Sequence, residues 1–136
     1  MLDGVNVIVT DIMRAELDRP FTSKEVGEAI KGMAPLKAPG SDGIPPLFFQ
    51  AYLTDIDMDV SQAILSYLNS RSILRSINHT FITLIPKVHN PKRVYDFRPV
   101  SFCNVIYKII SKAIANCLKP ILNSIISETR SAFITD

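Results

Sequence analysis

The sequence predicts an α+β fold that is mostly helical and contains one small antiparallel β-hairpin. Several segments carry apolar residues at helical spacing, which predicts amphipathic helices. One stretch, Phe81–Ile85, is instead rich in β-branched and aromatic residues and is followed by Pro86, which is typical of a strand that reaches the edge of a sheet. At 136 residues with 47% hydrophobic content, the chain fits one domain that can bury a core.

The first predicted element is a helix that begins at Thr22. Thr22 and Glu25 have the spacing of a capping box, and Phe21 can pack on Val26 as a hydrophobic staple. Pro35 is expected to end this helix. Its apolar face, which we expect to pack against a neighbouring helix, consists of Val26, Ala29, Ile30 and Met33.

Residues 37–46 predict a rigid loop, because they contain two glycines, three prolines and an Asp-Gly pair. The residues by themselves predict a connector between two helices, in which Lys37 or the glycine amides can offer one phosphate contact.

Two helices are predicted between Pro46 and Asn69, a short one through Tyr52 and a longer one from about Met58. The expected core positions of the longer helix are Val60, Ala63, Ile64, Tyr67 and Leu68. Three carboxylates crowd its start, where the helix dipole favours negative charge. A metal site is therefore not needed to explain Asp55, Asp57 and Asp59.

The hairpin is expected to pair Phe81–Ile85 with Tyr95–Arg98 through an Asn-Pro turn in the connector Val88–Arg93. With its apolar face turned inward, the hairpin would leave Lys87 and Arg98 side by side at one end, with Lys92 and Arg93 beside them. Arginine grips a phosphate with a planar fork and lysine acts as a point charge, so this end is a candidate phosphate site. A solvated hairpin tip is the alternative.

The helix predicted most clearly runs from about Asn104 to Leu118, after which Pro120 is expected to end or bend it. Its apolar stripe consists of Val105, Ile106, Ile109, Ile110, Ala113, Ile114 and Leu118. Lys108 and Lys112 lie one turn apart, and their repulsion costs a few tenths of a kcal/mol in an isolated helix. A phosphate backbone would relieve that repulsion. Two solvated lysines on an exposed face are the equal alternative.

Charge is distributed unevenly along the chain. Residues 1–75 carry seven basic and ten acidic side chains, whereas residues 76–136 carry eight basic and three acidic ones. The basic half suits a surface that faces a polyanion, although ordinary solvated faces also carry such an excess. Cys103 and Cys117, if both lie on one helix, are too far apart for a disulfide. Free thiols and the lack of a trusted targeting signal lead us to expect an intracellular protein of the cytoplasm or nucleus, with no membrane partner.

Four sequence blocks together resemble the reverse transcriptase of non-LTR (LINE-type) retrotransposons, especially those of plants. They are residues 37–44 (KAPGSDGI), 81–87 (FITLIPK), 96–101 (DFRPVS) and 103–112 (CNVIYKIISK). The likeness continues through residues 115–120 to residues 131–133, and it covers nearly the whole chain from Phe21 onward. Several blocks in the right order are far more specific than one short motif.

The resemblance implies that residues 21–136 are the fingers part of a right-hand polymerase, preceded by an N-terminal extension of residues 1–20. It implies nucleotide binding by Lys87 and Arg98, nucleic-acid contacts by Lys37, Gly40, Lys108 and Lys112, and RNA template, DNA primer and deoxynucleoside triphosphate as partners. The catalytic aspartates and their Mg²⁺ would belong to the palm, which with the thumb is missing from this sequence. The fragment is therefore expected to be inactive alone and to need no cofactor of its own. A non-catalytic nucleic-acid-binding module and a helical protein-interaction domain are the alternatives.

Overall fold

The computed structural model describes residues 9–70 and 72–125. This part of the chain contains five α-helices and one two-stranded antiparallel sheet, which confirms the predicted α+β class. In chain order the elements are α1 (Asp11–Asp18), α2 (Ser23–Lys31), α3 (Pro46–Ala51), α4 (Leu53–Ser70), β1 (Thr80–Pro86), β2 (Phe97–Cys103) and α5 (Val105–Ile125). None of the described helices is long and apolar enough to cross a lipid bilayer. The resemblance block at residues 131–133 lies outside the described residues.

Helix α2 and helix α5 form the centre of the core. The capping box predicted at Thr22 and Glu25 is present, and all four apolar residues predicted on this face of the chain are buried. Phe21 packs against the same cluster. The helix ends at Lys31 with Gly32 as its C-cap, so the prediction that Pro35 ends it is wrong. The buried cluster consists of Val26, Ala29, Ile30, Met33, Phe49, Ile64, Val105, Ile109, Ile110 and Ala113.

Helix α4 packs on α2 through a face centred on Ile64, which is fully buried. The helix begins at Leu53, earlier than the predicted start near Met58. Ala63 is exposed, so its prediction as a core residue is wrong. Adjacent positions on a helix are rotated by about 100° from each other, and Ala63 therefore lies beside the buried face rather than on it. Val60, Tyr67 and Leu68 are half-buried against the core, as predicted.

Helix α5 runs through Pro120 to Ile125, so Pro120 does not end it. The helix begins at Val105, and its predicted apolar stripe is deeply buried at Val105, Ile109, Ile110 and Ala113. The apolar stripe reaches the protein surface at Ile114, which is 40% exposed. Ile114 lines a surface groove with Phe21, Tyr67, Leu68, Ile73 and Ile110.

The hairpin pairs β1 with β2 in one antiparallel register, with Thr80 opposite Cys103 and Ile85 opposite Arg98. The second strand begins at Phe97, because Val94–Asp96 form a 3₁₀ turn instead of the start of a strand. The prediction that the apolar face of the hairpin turns inward is wrong. Ile82 is 66% exposed on one face of β1, and Ile85 is 45% exposed on the other. The two-stranded ribbon that β1 and β2 form therefore extends away from the helical core.

A loop from the first half of the chain holds the start of α5. The carboxylate of Asp42 accepts a hydrogen bond of 2.9 Å from the backbone N–H of Val105, one of the N–H groups that the helix itself cannot pair. The Ser41 hydroxyl donates to Asn104 Oδ1 at 2.7 Å, and the Asn104 amide donates to the carbonyl oxygen of Ser76 at 3.2 Å. We call residues 37–44 together with the β2–α5 junction the loop junction.

Two glycines shape this loop in different ways. Gly43 has a φ of +67°, in the left-handed region that favours glycine. Gly40 lies directly on the backbone of the junction: an added Cβ would come within 2.4 Å of the carbonyl carbon and oxygen of Cys103. Only a residue without a side chain allows this approach.

Replacing Gly40 by alanine should destabilise the protein, because the new Cβ meets backbone atoms that cannot move aside cheaply. We expect a loss of about 1–3 kcal/mol in the free energy of unfolding, as for other overpacked sites. Gly27→Ala is the matched control, since an added Cβ there meets nothing within 4 Å and lies inside helix α2. The free energy of unfolding of this control should rise by up to about 1 kcal/mol, because alanine has a higher helix propensity than glycine. Urea unfolding of both variants checks this, and equal midpoints would contradict the packing assigned to Gly40.

An ion pair joins the segment after α1 to the start of α2. Arg19 grips both carboxylate oxygens of Glu25, at 2.8 and 3.1 Å, and its Nε donates to Glu16 at 2.7 Å. The Arg19 guanidinium, together with the backbone N–H and hydroxyl of Thr22, lowers the pKa of Glu25 from 4.5 to about 2. Partial burial opposes this effect without cancelling it.

The stability of the protein should therefore depend on the charge of Glu25 in acid. Because the folded-state pKa lies below the unfolded one, the stabilisation is complete above pH 4.5 and is lost as the pH falls towards about 2. Glu25→Gln should lower the free energy of unfolding at pH 7 by about 0.5–1 kcal/mol, and this difference from the parent should shrink in acid.

Glu28→Gln on the same helix is the control, since Glu28 makes only a 3.9 Å pair with Lys24. Urea midpoints measured between pH 7 and pH 2 provide the test. A parent and a Glu25→Gln variant that differ equally at every pH would contradict this role of the carboxylate.

Candidate nucleic-acid interface

The connector between β1 and β2 is organised by Asp96. One oxygen of its carboxylate accepts hydrogen bonds of 2.9 Å from the backbone N–H groups of both Lys92 and Arg93. Asn90 takes a left-handed conformation with φ of 62°, in agreement with the predicted Asn-Pro turn. The one acid of the connector is thus used to fix the backbone, and the cations around it are not paired with a carboxylate in the described residues.

The two residues predicted to bind the nucleotide lie at this end of the ribbon. The backbone N–H of Lys87 donates to the carbonyl oxygen of Asp96 at 2.7 Å, which extends the register by one step beyond β1. Ile85 is opposite Arg98, so the alternation of strand side chains places Lys87 and Arg98 on the same side of the ribbon as diagonal neighbours. Such neighbours are about 7–8 Å apart in an antiparallel pair.

The two cations differ in how they are held. Lys87 Nζ donates to the backbone carbonyl oxygen of Tyr95 at 3.0 Å, which orients its ammonium group across the turn. Arg98 is exposed, and its side chain makes no hydrogen bond or ion pair with the rest of the described chain. Its planar fork is therefore available to an anion.

Three of the four residues predicted to contact nucleic acid, Lys37, Gly40 and Lys108, lie elsewhere, at or against the loop junction, and Lys112 lies further along α5. Lys37 is exposed, and Gly40 is packed on Cys103 as described above. Lys108 Nζ donates to the carbonyl oxygen of Ala38 at 2.5 Å, so this lysine ties α5 to the loop. Lys112 is half-buried, and a Cβ added at Gly32 would lie 3.4 Å from its Cε.

The candidate residues therefore form two separate groups. Lys87 and Arg98 belong to the end of the hairpin formed by residues 87–98, which we call the ribbon tip. Lys37, Gly40 and Lys108 belong to the loop junction. Strand β2 joins the two groups, and the five residue steps from Arg98 to Cys103 span about 17 Å. The roles of all six residues in binding stay predictions.

Several residues of this region escape prediction from the sequence. Asp42 is 63 positions from its partner Val105, and no local pattern indicates that pairing. Asp96 and Tyr95 are expected from the sequence to continue a strand, but they form the turn that supports the ribbon tip. Asn104 gives a usable signal, since an asparagine directly before an apolar helical run is typical of a helix start.

No cluster of three histidine, cysteine, aspartate or glutamate side chains suited to a metal ion exists among the described residues. The side chains of Asp55 and Asp57 lie outside this description. Cys103 and Cys117 are both free thiols, as expected, and Cys103 is the last residue of β2.

Comparison with known proteins gives one informative relative. No protein-family model matches the chain. The chain is 30% identical over 129 residues to the transposon TX1 uncharacterized 149 kDa protein of Xenopus laevis. The match includes 95% of this chain and 10% of the relative, so the chain spans about a tenth of the length of that protein. Over nearly its whole length, the chain is similar to part of a transposon-encoded protein.

Proposed function

We propose that the chain is the fingers part of the RNA-directed DNA polymerase of a non-LTR retrotransposon. The ordered sequence blocks and the similarity to a transposon protein support this proposal. The observation that carries it is the ribbon tip, where Lys87 and Arg98 share one side while the nearby carboxylate of Asp96 is occupied by backbone N–H groups. An anion that approaches this side meets positive charge without a competing acid.

In this proposal the ribbon tip binds the triphosphate of the incoming deoxynucleotide. Arg98 grips phosphate oxygens through its planar fork of donors. Lys87 already donates one hydrogen bond to the Tyr95 carbonyl oxygen. Its two remaining N–H groups bind the phosphates beside Arg98, and its charge neutralises them. The advantage is electrostatic positioning of a phosphoryl group before transfer.

The loop junction borders the template strand in the same proposal. Lys37 is exposed there and supplies a charge for a phosphate. Gly40 keeps the loop close to β2, and Lys108 holds the loop from beneath through Ala38. Lys112, one turn further along α5, contributes long-range attraction. The two groups of residues, joined by β2, would then contact nucleotide and template at opposite ends of one strand.

Catalysis itself would require the palm. Nucleotidyl transfer by two Mg²⁺ ions needs carboxylates that hold both ions about 4 Å apart. The proposed role of this chain is therefore to position the RNA template and the deoxynucleoside triphosphate for a palm and thumb that also hold the DNA primer. The chain alone should be inactive.

A protein-interaction domain is the second candidate function. The uncovered apolar side chains of β1, among them Ile82 and Leu84, favour it. Filter binding of single-stranded RNA across a salt series separates the two functions. A nucleic-acid-binding protein should lose affinity steeply as salt rises, whereas a protein-interaction domain should show no retention at any ionic strength.

Arg98→Ala should weaken binding of a labelled deoxynucleoside triphosphate, measured at equilibrium with the purified chain. Loss of hydrogen bonds to a charged group costs about 1.5–3 kcal/mol, which corresponds to roughly a 10- to 150-fold weaker Kd. Arg98→Lys keeps the charge without the planar fork of donors, so its Kd should lie between the Kd values of the parent and Arg98→Ala. Arg14→Ala is the control, because Arg14 is an exposed arginine on α1. Equal Kd values for Arg98→Ala and the parent would refute the assignment.

A further inference from the structure

Tyr95 presents an aromatic ring to solvent at the ribbon tip. The residue lies in the 3₁₀ turn Val94–Asp96 and is 65% exposed. Its hydroxyl accepts a hydrogen bond of 2.9 Å from Arg93 Nη1, and the Arg93 guanidinium carbon lies 5.6 Å from the ring centroid. The ring is thus held by a neighbouring cation while much of its surface stays open.

The backbone around Tyr95 is fixed by hydrogen bonds. Lys87 Nζ donates to the Tyr95 carbonyl oxygen at 3.0 Å. The Asp96 carboxylate accepts hydrogen bonds from the N–H groups of Lys92 and Arg93, in the turn that carries Tyr95. Because ring and backbone are already ordered, a ligand that stacks on Tyr95 has little conformational entropy left to lose.

The surroundings of the ring are strongly basic. Residues 87–98 contain four basic side chains, Lys87, Lys92, Arg93 and Arg98, and one acidic side chain, Asp96. The Asp96 carboxylate is turned to the backbone, so the ring is bordered by positive charge. An exposed aromatic ring among cations is the combination that binds single-stranded nucleic acid, in which bases stack on the ring and phosphates meet the cations.

We infer that Tyr95 is a stacking platform for one unpaired nucleobase of a single-stranded nucleic acid and that Arg93 contacts the adjacent phosphate. This inference rests on the proposed function and extends the nucleic-acid contacts from the loop junction to the ribbon tip, beside the residues proposed to bind the triphosphate. Arg93 donates one hydrogen bond to the Tyr95 hydroxyl, and its other N–H groups are available to phosphate oxygens. Paired bases inside a duplex present no free face, so the platform favours single strands.

The test compares binding of oligouridylate with binding of an abasic ribose-phosphate oligomer of equal length. Tyr95→Ala should weaken oligouridylate binding by about 5- to 150-fold, the effect of losing one stacked base. Tyr95→Phe keeps the ring and should stay within about threefold of the parent, since only one hydroxyl hydrogen bond is lost. Tyr52→Ala removes a half-exposed tyrosine at the end of α3 and is the matched control. On the abasic oligomer, Tyr95→Ala and the parent should bind alike.

Each contrary result overturns a defined part of the scheme. Equal affinity of Tyr95→Ala and the parent for oligouridylate would remove the stacking platform and leave the proposed function intact. Equal losses on oligouridylate and on the abasic oligomer would assign Tyr95 a structural role and also overturn the inference. A parent that binds no oligomer at any ionic strength would overturn the proposed function together with it. Oligothymidylate in parallel identifies whether an RNA or a DNA strand is the stacked partner.

Discussion

The capping of helix α5 by a remote loop is the constraint on which the rest of the structure depends. The carboxylate of Asp42 satisfies the N–H of Val105, where the helix has no partner of its own. Negative charge at this end also suits the helix dipole. Helix α5 supplies a large share of the buried core, and its start is continuous with β2. The same contact therefore fixes both the core helix and the base of the ribbon.

Close packing at Gly40 makes this constraint rigid. The loop backbone lies directly on Cys103 and Asn104, and Lys108 holds the same loop from the next turn of α5. Hydrogen bonds and close backbone packing at this loop thus hold the base of the ribbon. Both faces of β1 are exposed, whereas Phe97, Val100 and Phe102 of β2 are half-buried.

The ribbon tip gains its chemical character from how one acid is used. Asp96 turns its carboxylate to the backbone N–H groups of Lys92 and Arg93, and it does not neutralise a side chain. Four cations and one exposed aromatic ring then share a small turn. Cations that no carboxylate neutralises repel each other, so such a turn is best stabilised by a polyanion. The proposed binding of phosphate and base follows from this local excess of charge.

The sequence by itself determined the local elements, because capping, helical periodicity and strand composition act between near neighbours. It determined the capping box at Thr22, the buried stripe of α5, the strand before Pro86 and the turn at Asn90. Tertiary structure decided what each element meets: that Asp42 caps a helix 63 positions away, that Lys108 binds a carbonyl group and that both faces of β1 stay exposed. The candidate site divides in the same way, since its cations are visible in the sequence but their grouping at two ends of β2 is not. Contacts between distant segments depend on how the whole chain packs, and no local pattern encodes them.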